Sequence, residues 1–467
     1  MNVEQVLESL REIVGPAHVL TSPEDLYLYE YDASLDRGRP HAVVLPGSAE
    51  EVEAVVRLAH EHGVPVTPRG AGTNLSGGSV PARGGLVLVL NRLNRILEVD
   101  IPNRTALVEP GVFNLTLQKA LAPYGYLFAP DPASQKVSTL GGNVGENSGG
   151  PHCLKYGVTL NHVLGMEVVL PDGERVWVGG AAPDAPGYDL TGLLVGSEGT
   201  LGIVTKIFVR IMPQPEGVRT LLALFDSLTD AGRTVSAIIA AGIIPATLEM
   251  MDHTVIEAVE RATHAGLPLD VAALLIIEVD GLEDELDEQV REIQAICQRE
   301  GAREVRVARS QAERDHLWAS RRGAFGALGQ LMPSYLVLDG TVPRTRLPEA
   351  LERVAEVGRR YGLPIGDVFH AGDGNLHPLI LFDPTEPGIL EKVRAAGAEI
   401  LEICADLGGT ITGEHGIGLE KISAMPLIFG PADLRAMWAV KRAFDPQDLM
   451  NPGKVLPPLE AVAEATP

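Results

Sequence analysis

The sequence predicts an α+β protein built from more than one domain. Three observations point there. Residues 42–67 read as a strand, a capped helix and a second strand. Met212-Pro213-Gln214-Pro215-Glu216-Gly217 then interrupts the pattern as a linker would. Beyond it, strand-like and helix-like stretches alternate, which suits an open sheet covered by helices on one face. The 467 residues allow two or three domains. With 45% hydrophobic and 21% charged residues, there is apolar material for more than one core.

The elements follow in order. Residues 42–45 form a strand that stops at Pro46. Ser48 and Glu51 make a capping-box pattern. Val52, Val55, Val56 and Ala59 come next at helical spacing and give one buried stripe. Residues 64–67 are the second strand, and a glycine-rich loop follows. Short strands are expected over 86–90, 96–99 and 106–109, with a helix over 114–122. Residues 129–162 are dense in Gly, Asn and Ser and lack periodicity, so they read as a long loop. Loops of that length are uncommon unless they are functional. Strands return at 166–170 and 203–209, with Pro171-Asp172-Gly173 as a turn after the first. After the linker, a strand over 221–225 precedes a helix over 227–241. A strand over 274–279 precedes a charged helix near 282–300, and a strand over 303–308 precedes a helix near 311–330. From about 425 the chain reads as helical, then as a Pro-rich tail, with only the last ten residues disordered by composition. The expected domains are 1–215, 216–424 and 425–467.

Charge and composition exclude several functions. A net charge of −24 argues against nucleic acid, which needs a basic face. It does not forbid an anionic substrate, since a local cluster of Arg, His or metal outweighs a distant field. Cys153, Cys297 and Cys404 lie far apart without a C-x-x-C pair, so no structural zinc site or iron–sulfur cluster is expected from this chain alone. The sparse count fits a reducing cytoplasm. The first eleven residues carry acids where a signal peptide has a basic region, and no uncharged apolar run is long enough to span a membrane. Any membrane association is therefore expected to be peripheral and to run through a partner.

Four glycine-rich stretches crowd the first 205 residues. They are Pro68-Arg69-Gly70-Ala71-Gly72-Thr73-Asn74-Leu75-Ser76-Gly77-Gly78; Gly141-Gly142-Asn143 with Asn147-Ser148-Gly149-Gly150; Lys155-Tyr156-Gly157; and Gly196-Ser197-Glu198-Gly199-Thr200-Leu201-Gly202. Glycines let a backbone come close to a ligand, and successive bare N–H groups make an anion nest. Any one of these is an ordinary surface turn. None is the G-x-G-x-x-G of a nicotinamide site or a Walker loop.

Together, in this order, they resemble the FAD-binding domain of the vanillyl-alcohol oxidase and p-cresol methylhydroxylase superfamily. The tail from Phe444-Asp445-Pro446 to Asn451-Pro452-Gly453-Lys454 resembles its C-terminal signature. Among its members the chain is most similar to FAD-linked 2-hydroxyacid dehydrogenases and oxidases of the glycolate oxidase D-subunit and D-lactate dehydrogenase type. The resemblance implies a two-part FAD domain, a ferredoxin-like α+β substrate (cap) domain, and a C-terminal helical segment returning to the FAD domain. It implies FAD contacts from Pro68, Arg69, Gly70, Ala71, Gly72, Thr73, Asn74, Ser76 and Gly77 around the pyrophosphate. Further contacts are implied from Pro130, Asp131, Ser134 and Thr139, and from Gly141, Gly142, Asn143, Asn147, Ser148, Gly149, Gly150 and Gly157. Glu198, Gly199, Gly202, Ile203, Asn451 and Lys454 complete the set. Some relatives attach flavin through a His where this chain has Thr73, which implies non-covalent FAD here.

The second half carries Phe369-His370-Ala371-Gly372-Asp373-Gly374-Asn375-Leu376-His377-Pro378 and Gly413-Glu414-His415-Gly416-Ile417-Gly418. A hairpin around Gly-Asp-Gly-Asn would bring His370 and His377 back toward each other. Two imidazoles and a carboxylate make a three-ligand site with open positions, suited to Zn²⁺, Mn²⁺ or Fe²⁺. A single His is usually a core or surface histidine, so the clustering carries the case. In 2-hydroxyacid relatives these motif positions hold a divalent metal and the next His is the base. That implies His370, His377 and Glu414 as ligands and His415 as catalytic base.

Trp318-Ala319-Ser320-Arg321 resembles the family's W-x-x-R, whose Arg grips the substrate carboxylate, a bidentate fit. Arg321 is the implied clamp, with Arg322 as the alternative. Relatives that act on diacids carry Thr and Lys where this chain has Phe325 and Val337, which favours glycolate or D-lactate over a D-2-hydroxyglutarate-type diacid. The reading leaves open a non-catalytic flavin-binding subunit of a multi-chain oxidase, companion flavin and iron–sulfur subunits, a homodimer, and the identity of the electron acceptor.

Overall fold

The computed structural model describes residues 3–182 and 186–464. They divide into two compact units. The first comprises residues 3–149, 157–214 and 414–464, and the second 150–156 and 215–413.

In the first unit, Ser48 caps the Ala49–His62 helix by accepting from Glu51 N at 3.2 Å, and Glu51 Oε2 accepts from Gly47 N at 2.6 Å. Such a cap is worth about 1 kcal/mol. Val52, Val55, Val56 and Ala59 are buried in one apolar cluster with the strands beneath. Each valine contributes roughly 1.5–3 kcal/mol by leaving water, so the stripe outweighs the cap in holding the helix. The helix links two parallel strands of a four-stranded sheet ordered Val19–Leu20, Ala42–Val44, Leu86–Val89, Val66–Arg69. A second, antiparallel sheet is ordered Ile96–Asp100, Thr105–Val108, Ile203–Arg210, Val163–Val169, Arg175–Gly179. The C-terminal segment lies along the edge of the first sheet, where Asn451 N donates to Val66 O at 2.7 Å.

The second unit is built on a seven-stranded antiparallel sheet. Its order is Ala302–Val307, Gly217–Phe225, Ala273–Gly281, Thr247–Asp252, Ile365–His370, Pro378–Phe382, Ser334–Val337.

Several expectations need correction. Residues 129–162 are not one loop: they hold the helices Leu140–Glu146 and Cys153–Tyr156 and a 3₁₀ turn, Thr159–His162. Leu140 and Val144, one turn apart and buried, anchor the first helix despite its glycines. The helix expected over 311–330 breaks at Gly323 into Gln311–Arg322 and Ala324–Leu328. The domain limits also differ. Gly150–Tyr156 belongs to the second unit, and residues 414–424 to the first. The tail contains a helix, Leu459–Glu464, while residues 465–467 lie outside the described residues. Among the described residues no helix is long and apolar enough to cross a membrane.

Candidate active site

Three of the four glycine-rich stretches come together within the first unit. Asn74 Oδ1 accepts from the amides of Ser76 and Gly78, both at 2.8 Å, and closes the loop after the Val66–Arg69 strand. Thr139 caps the Leu140–Glu146 helix, its hydroxyl accepting from Gly142 N at 3.3 Å. Val144 O and Gly145 O accept the amides of Gly196 and Glu198 at 2.9 and 2.8 Å, which brings the Gly196–Gly202 stretch alongside. The C-terminal segment closes the set. Asn451 Nδ2 donates to Gly78 O and Glu198 O at 2.8 and 2.7 Å. Lys454 Nζ donates to Val80 O, Asn451 Oδ1 and Gly78 O at 2.6, 2.8 and 3.1 Å. An ammonium has three hydrogens, so Lys454 staples this segment to the first loop. Burial pushes its amine down to about 8.

Several residues expected at the cofactor also make contacts within the scaffold. The Arg69 guanidinium turns inward, donating to Tyr31 O at 2.7 Å and lying 5.5 Å from the Tyr29 ring centre. Ile203 is buried in the core with Val44 and Val169. Asn147 adopts a left-handed φ of 52° and accepts from Leu160 N at 2.8 Å. Asn114 Nδ2 holds Pro130 O at 2.9 Å. Gly150, Lys155 and Tyr156 lie in the second unit, where Tyr156 Oη and Lys155 Nζ both donate to the Asp280 carboxylate. Other positions suit a flat anionic cofactor. The chain from Gly70 to Leu75 stays half-buried. A Cβ built on Gly145 would meet no protein atom within 4 Å. The buried Nδ2 of Asn143 has no hydrogen-bond partner among the described residues. Bare backbone, an open face and an unsatisfied donor fit FAD.

The loop from Glu414 to Gly418 is fastened to the same framework. His415 O accepts from the Ser76 hydroxyl at 2.9 Å. The Glu198 carboxylate accepts from Ile417 N at 2.7 Å and Gly418 N at 2.8 Å, so this residue holds the loop. Burial raises Glu198 against those two amides, and burial plus the Glu198 charge lifts Glu146 further. Gly416 has φ +83°, and a Cβ there would lie 2.6 Å from Glu146 Oε2. Only glycine suits that position. His415 Nε2 lies 3.9 Å from Glu414 Oε1.

In the second unit, strands Ile365–His370 and Pro378–Phe382 pair antiparallel, and residues 371–377 turn between them. Gly374, at φ +74°, approaches Val342 O too closely for any side chain. The turn brings the rings of His370 and His377 to 5.0 Å between centroids at 80°. Asp339, wholly buried, holds the chain that leads to Glu414: Gly413 N donates to Asp339 O at 2.8 Å and to its Oδ2 at 3.0 Å. Glu414 is the next residue. One ligand atom from each of His370, His377 and Glu414 lies within 4.8 Å of the others. Two imidazoles and a carboxylate at that spacing are a donor set that fits a divalent transition ion.

Arg321 lies on the buried face of the Gln311–Arg322 helix, beside Leu317 and Trp318. Its Nε and Nη2 meet Glu249 Oε2 at 2.7 and 2.6 Å. The edge expected to grip a substrate carboxylate is thus engaged by a carboxylate of the protein. The other oxygen, Glu249 Oε1, lies 2.7 Å from His370 Nδ1. Burial pushes Glu249 up, but His370 and Arg321 outweigh it and hold the carboxyl below its ordinary value. Arg322 is exposed and lies 5.3 Å from the Trp318 ring centre. Trp318 Nε1 donates to Glu278 Oε2 at 2.9 Å, and Arg314 and Thr220 bind the same carboxylate. Glu249 and Glu278 escaped the sequence reading. The available signal was one acid inside each apolar strand run, since a buried charge needs partners.

Fold and loops together define a flavoprotein of the p-cresol methylhydroxylase architecture. The crystal structure of p-cresol methylhydroxylase with substrate bound superposes with a TM-score of 0.82, covering 97% of this chain and 96% of that one, at 19% identity. Alkyldihydroxyacetonephosphate synthase gives 0.74, covering 96% and 84%, at 21%. Residues 40–179 match the family described as FAD binding domain, and residues 214–455 that described as FAD linked oxidases, C-terminal domain. The chain belongs to the FAD-linked oxidase family. It is 47% identical to glycolate oxidase subunit GlcD of Escherichia coli K12 over 98% of this chain and 92% of that protein. It is 43% identical to glycolate oxidase subunit GlcD of Bacillus subtilis, over 97% of each. It is 34% identical to D-lactate dehydrogenase of Anaerostipes hadrus, again over 97% of each.

Proposed function

We propose that this chain oxidises a small 2-hydroxy acid, glycolate or D-lactate, to the 2-oxo acid with FAD as electron acceptor and a divalent cation at His370, His377 and Glu414. The observation that carries this reading is the three-donor set with His415 next in the chain, in a member of a flavin-binding family. The relatives named above support the substrate class. When bound, the cation supplies Lewis acidity toward the hydroxyl and FAD accepts the hydride. His415, the residue after Glu414, is the proposed base that takes the hydroxyl proton. Arg321, whose Nε and Nη2 are held by Glu249, keeps Nη1 outside that pair, and this nitrogen is the proposed donor to the substrate carboxylate that orients the α-hydrogen. Phe325 and Val337 pack into the apolar core of the second unit and offer a second carboxylate no cation, which favours a monoacid. Because its relatives are named as a subunit, companion chains are the proposed route by which electrons leave.

Anaerobic mixing with glycolate, D-lactate, L-lactate or D-2-hydroxyglutarate tests this. Glycolate or D-lactate should bleach the flavin band. Bleaching by dithionite but by no hydroxy acid would make the chain a non-catalytic flavin-binding subunit. Fastest bleaching by D-2-hydroxyglutarate would move the substrate to the diacid class.

A further inference from the structure

Glu249 sits in the middle of the second unit's sheet, on strand Thr247–Asp252, and is wholly buried. An isolated carboxylate there would cost several kcal/mol, so its two oxygens must be matched. They are matched by two residues of different kinds. Oε1 lies 2.7 Å from His370 Nδ1, and Oε2 takes Nε and Nη2 of Arg321. The register sets this up: Glu249 pairs directly with His370 across the strands. Arg321 is 3% exposed on the Gln311–Arg322 helix.

We infer that Glu249 is a positioning residue that fixes the tautomer and ring of His370 and the fork of Arg321 at once, coupling the metal ligand to the substrate clamp. This rests on the roles proposed above for His370 and Arg321. A carboxylate can only accept, so the hydrogen between Glu249 and His370 must sit on Nδ1. His370 Nε2 then carries no hydrogen in the neutral ring and is the nitrogen that would serve as metal donor. A carboxylate behind a metal-binding imidazole fixes its orientation and raises its basicity, and losing it typically weakens metal binding 10- to 100-fold. The same carboxylate leaves Arg321 little rotational freedom, which lowers the cost of ordering the guanidinium when substrate arrives.

The isosteric variant Glu249→Gln separates this role from mere filling of space. Its amide oxygen will turn to Arg321, which only donates, leaving the NH₂ against His370. The imidazole must then accept at Nδ1 and carry its hydrogen on Nε2, the wrong side for a ligand. In the FAD-loaded full chain, Zn²⁺ affinity measured by chelator competition should fall about 10- to 100-fold with flavin content unchanged. KM for the hydroxy acid should rise as well. Affinity within threefold of the parent in a folded, flavin-replete Glu249→Gln protein overturns the inference.

If that variant does not fold, the parent protein still decides. Nitrogen-15 spectra of its histidines, with His370 assigned by loss of its signal in His370→Gln, should show His370 as the Nδ1–H tautomer. An Nε2–H tautomer overturns the inference. That arm is independent of the metal reading: a parent protein that binds no divalent ion but shows the Nδ1–H tautomer overturns the metal site and the coupling to it, and leaves the Glu249–His370 bond standing.

Discussion

The Ser76 hydroxyl donates to the main-chain oxygen of His415 at 2.9 Å, joining two residues 339 positions apart. Leu419 N returns to Ser76 O at 2.8 Å, so the loop bearing the proposed base is tied by both groups of one serine to the loop that follows the Val66–Arg69 strand. A residue expected to touch the cofactor therefore also sets where His415 stands.

His415→Ala should keep bound FAD and lose flavin reduction by at least ~10²-fold, the usual effect of a missing base. Ser76→Ala should act in the same direction but weakly. One hydrogen bond of about 1 kcal/mol corresponds to roughly fivefold in the reduction rate. Stopped-flow reduction by glycolate measures both. Full-speed reduction in His415→Ala removes that residue from the mechanism.

Chelation should abolish substrate-driven flavin reduction and leave the flavin absorbance unchanged, because none of the proposed donors His370, His377 and Glu414 lies in the glycine-rich stretches of the first 205 residues. Re-addition of Zn²⁺ or Mn²⁺ should restore it. Unchanged turnover in protein verified as metal-free would refute metal assistance.

Stability should fall as pH rises from about 4 through 6 and beyond, from a pair of acids inside the second unit. Burial lifts Asp367 well above its ordinary value, and the Asp252 charge adds to this. Burial lifts Asp252 to about 6. An acid whose folded pKa is raised favours the folded state while protonated. Above its unfolded value of about 4 the unfolded chain gives up the proton more readily, so stability declines until the folded pKa is passed. Asp367→Asn removes one such acid. At pH 8 it should melt higher than the parent, since an acid that folding weakens costs stability once it must ionise. The gap should close toward pH 4. Melting curves across pH 4–8 check this, and a constant difference at all pH values would exclude the acid pair as the cause.

Much of the site was legible because its chemistry is carried by local patterns. The His370 to His377 stretch reads as a turn with two imidazoles, and the structure forms that turn with Gly374 at its tight point. The Gly413–Gly418 run reads as a flexible presentation of Glu414 and His415, and Gly416 does adopt a conformation closed to other residues. What escaped was every partner supplied from elsewhere in the chain. Glu249, Glu278 and Asp339 are acids within or just beyond largely apolar strands, and beyond that placement nothing local shows which partner each will meet. Arg69 and Lys454 entered the expected cofactor set through the family resemblance, and no local pattern announced that Tyr31, Val80 and Asn451 would also hold them.

By itself the sequence determined the elements whose cause is local: the capped Ala49–His62 helix, the strands with buried apolar runs, the linker near residue 215, and the loops whose glycines mark close backbone approach. Tertiary structure alone decided which acids would meet which cations. Strand register set Glu249 opposite His370, and helix packing delivered Arg321 to the same carboxylate. The reason is that periodicity and turn chemistry act over a few residues, whereas the matching of a buried charge is a demand that any distant part of the chain can meet.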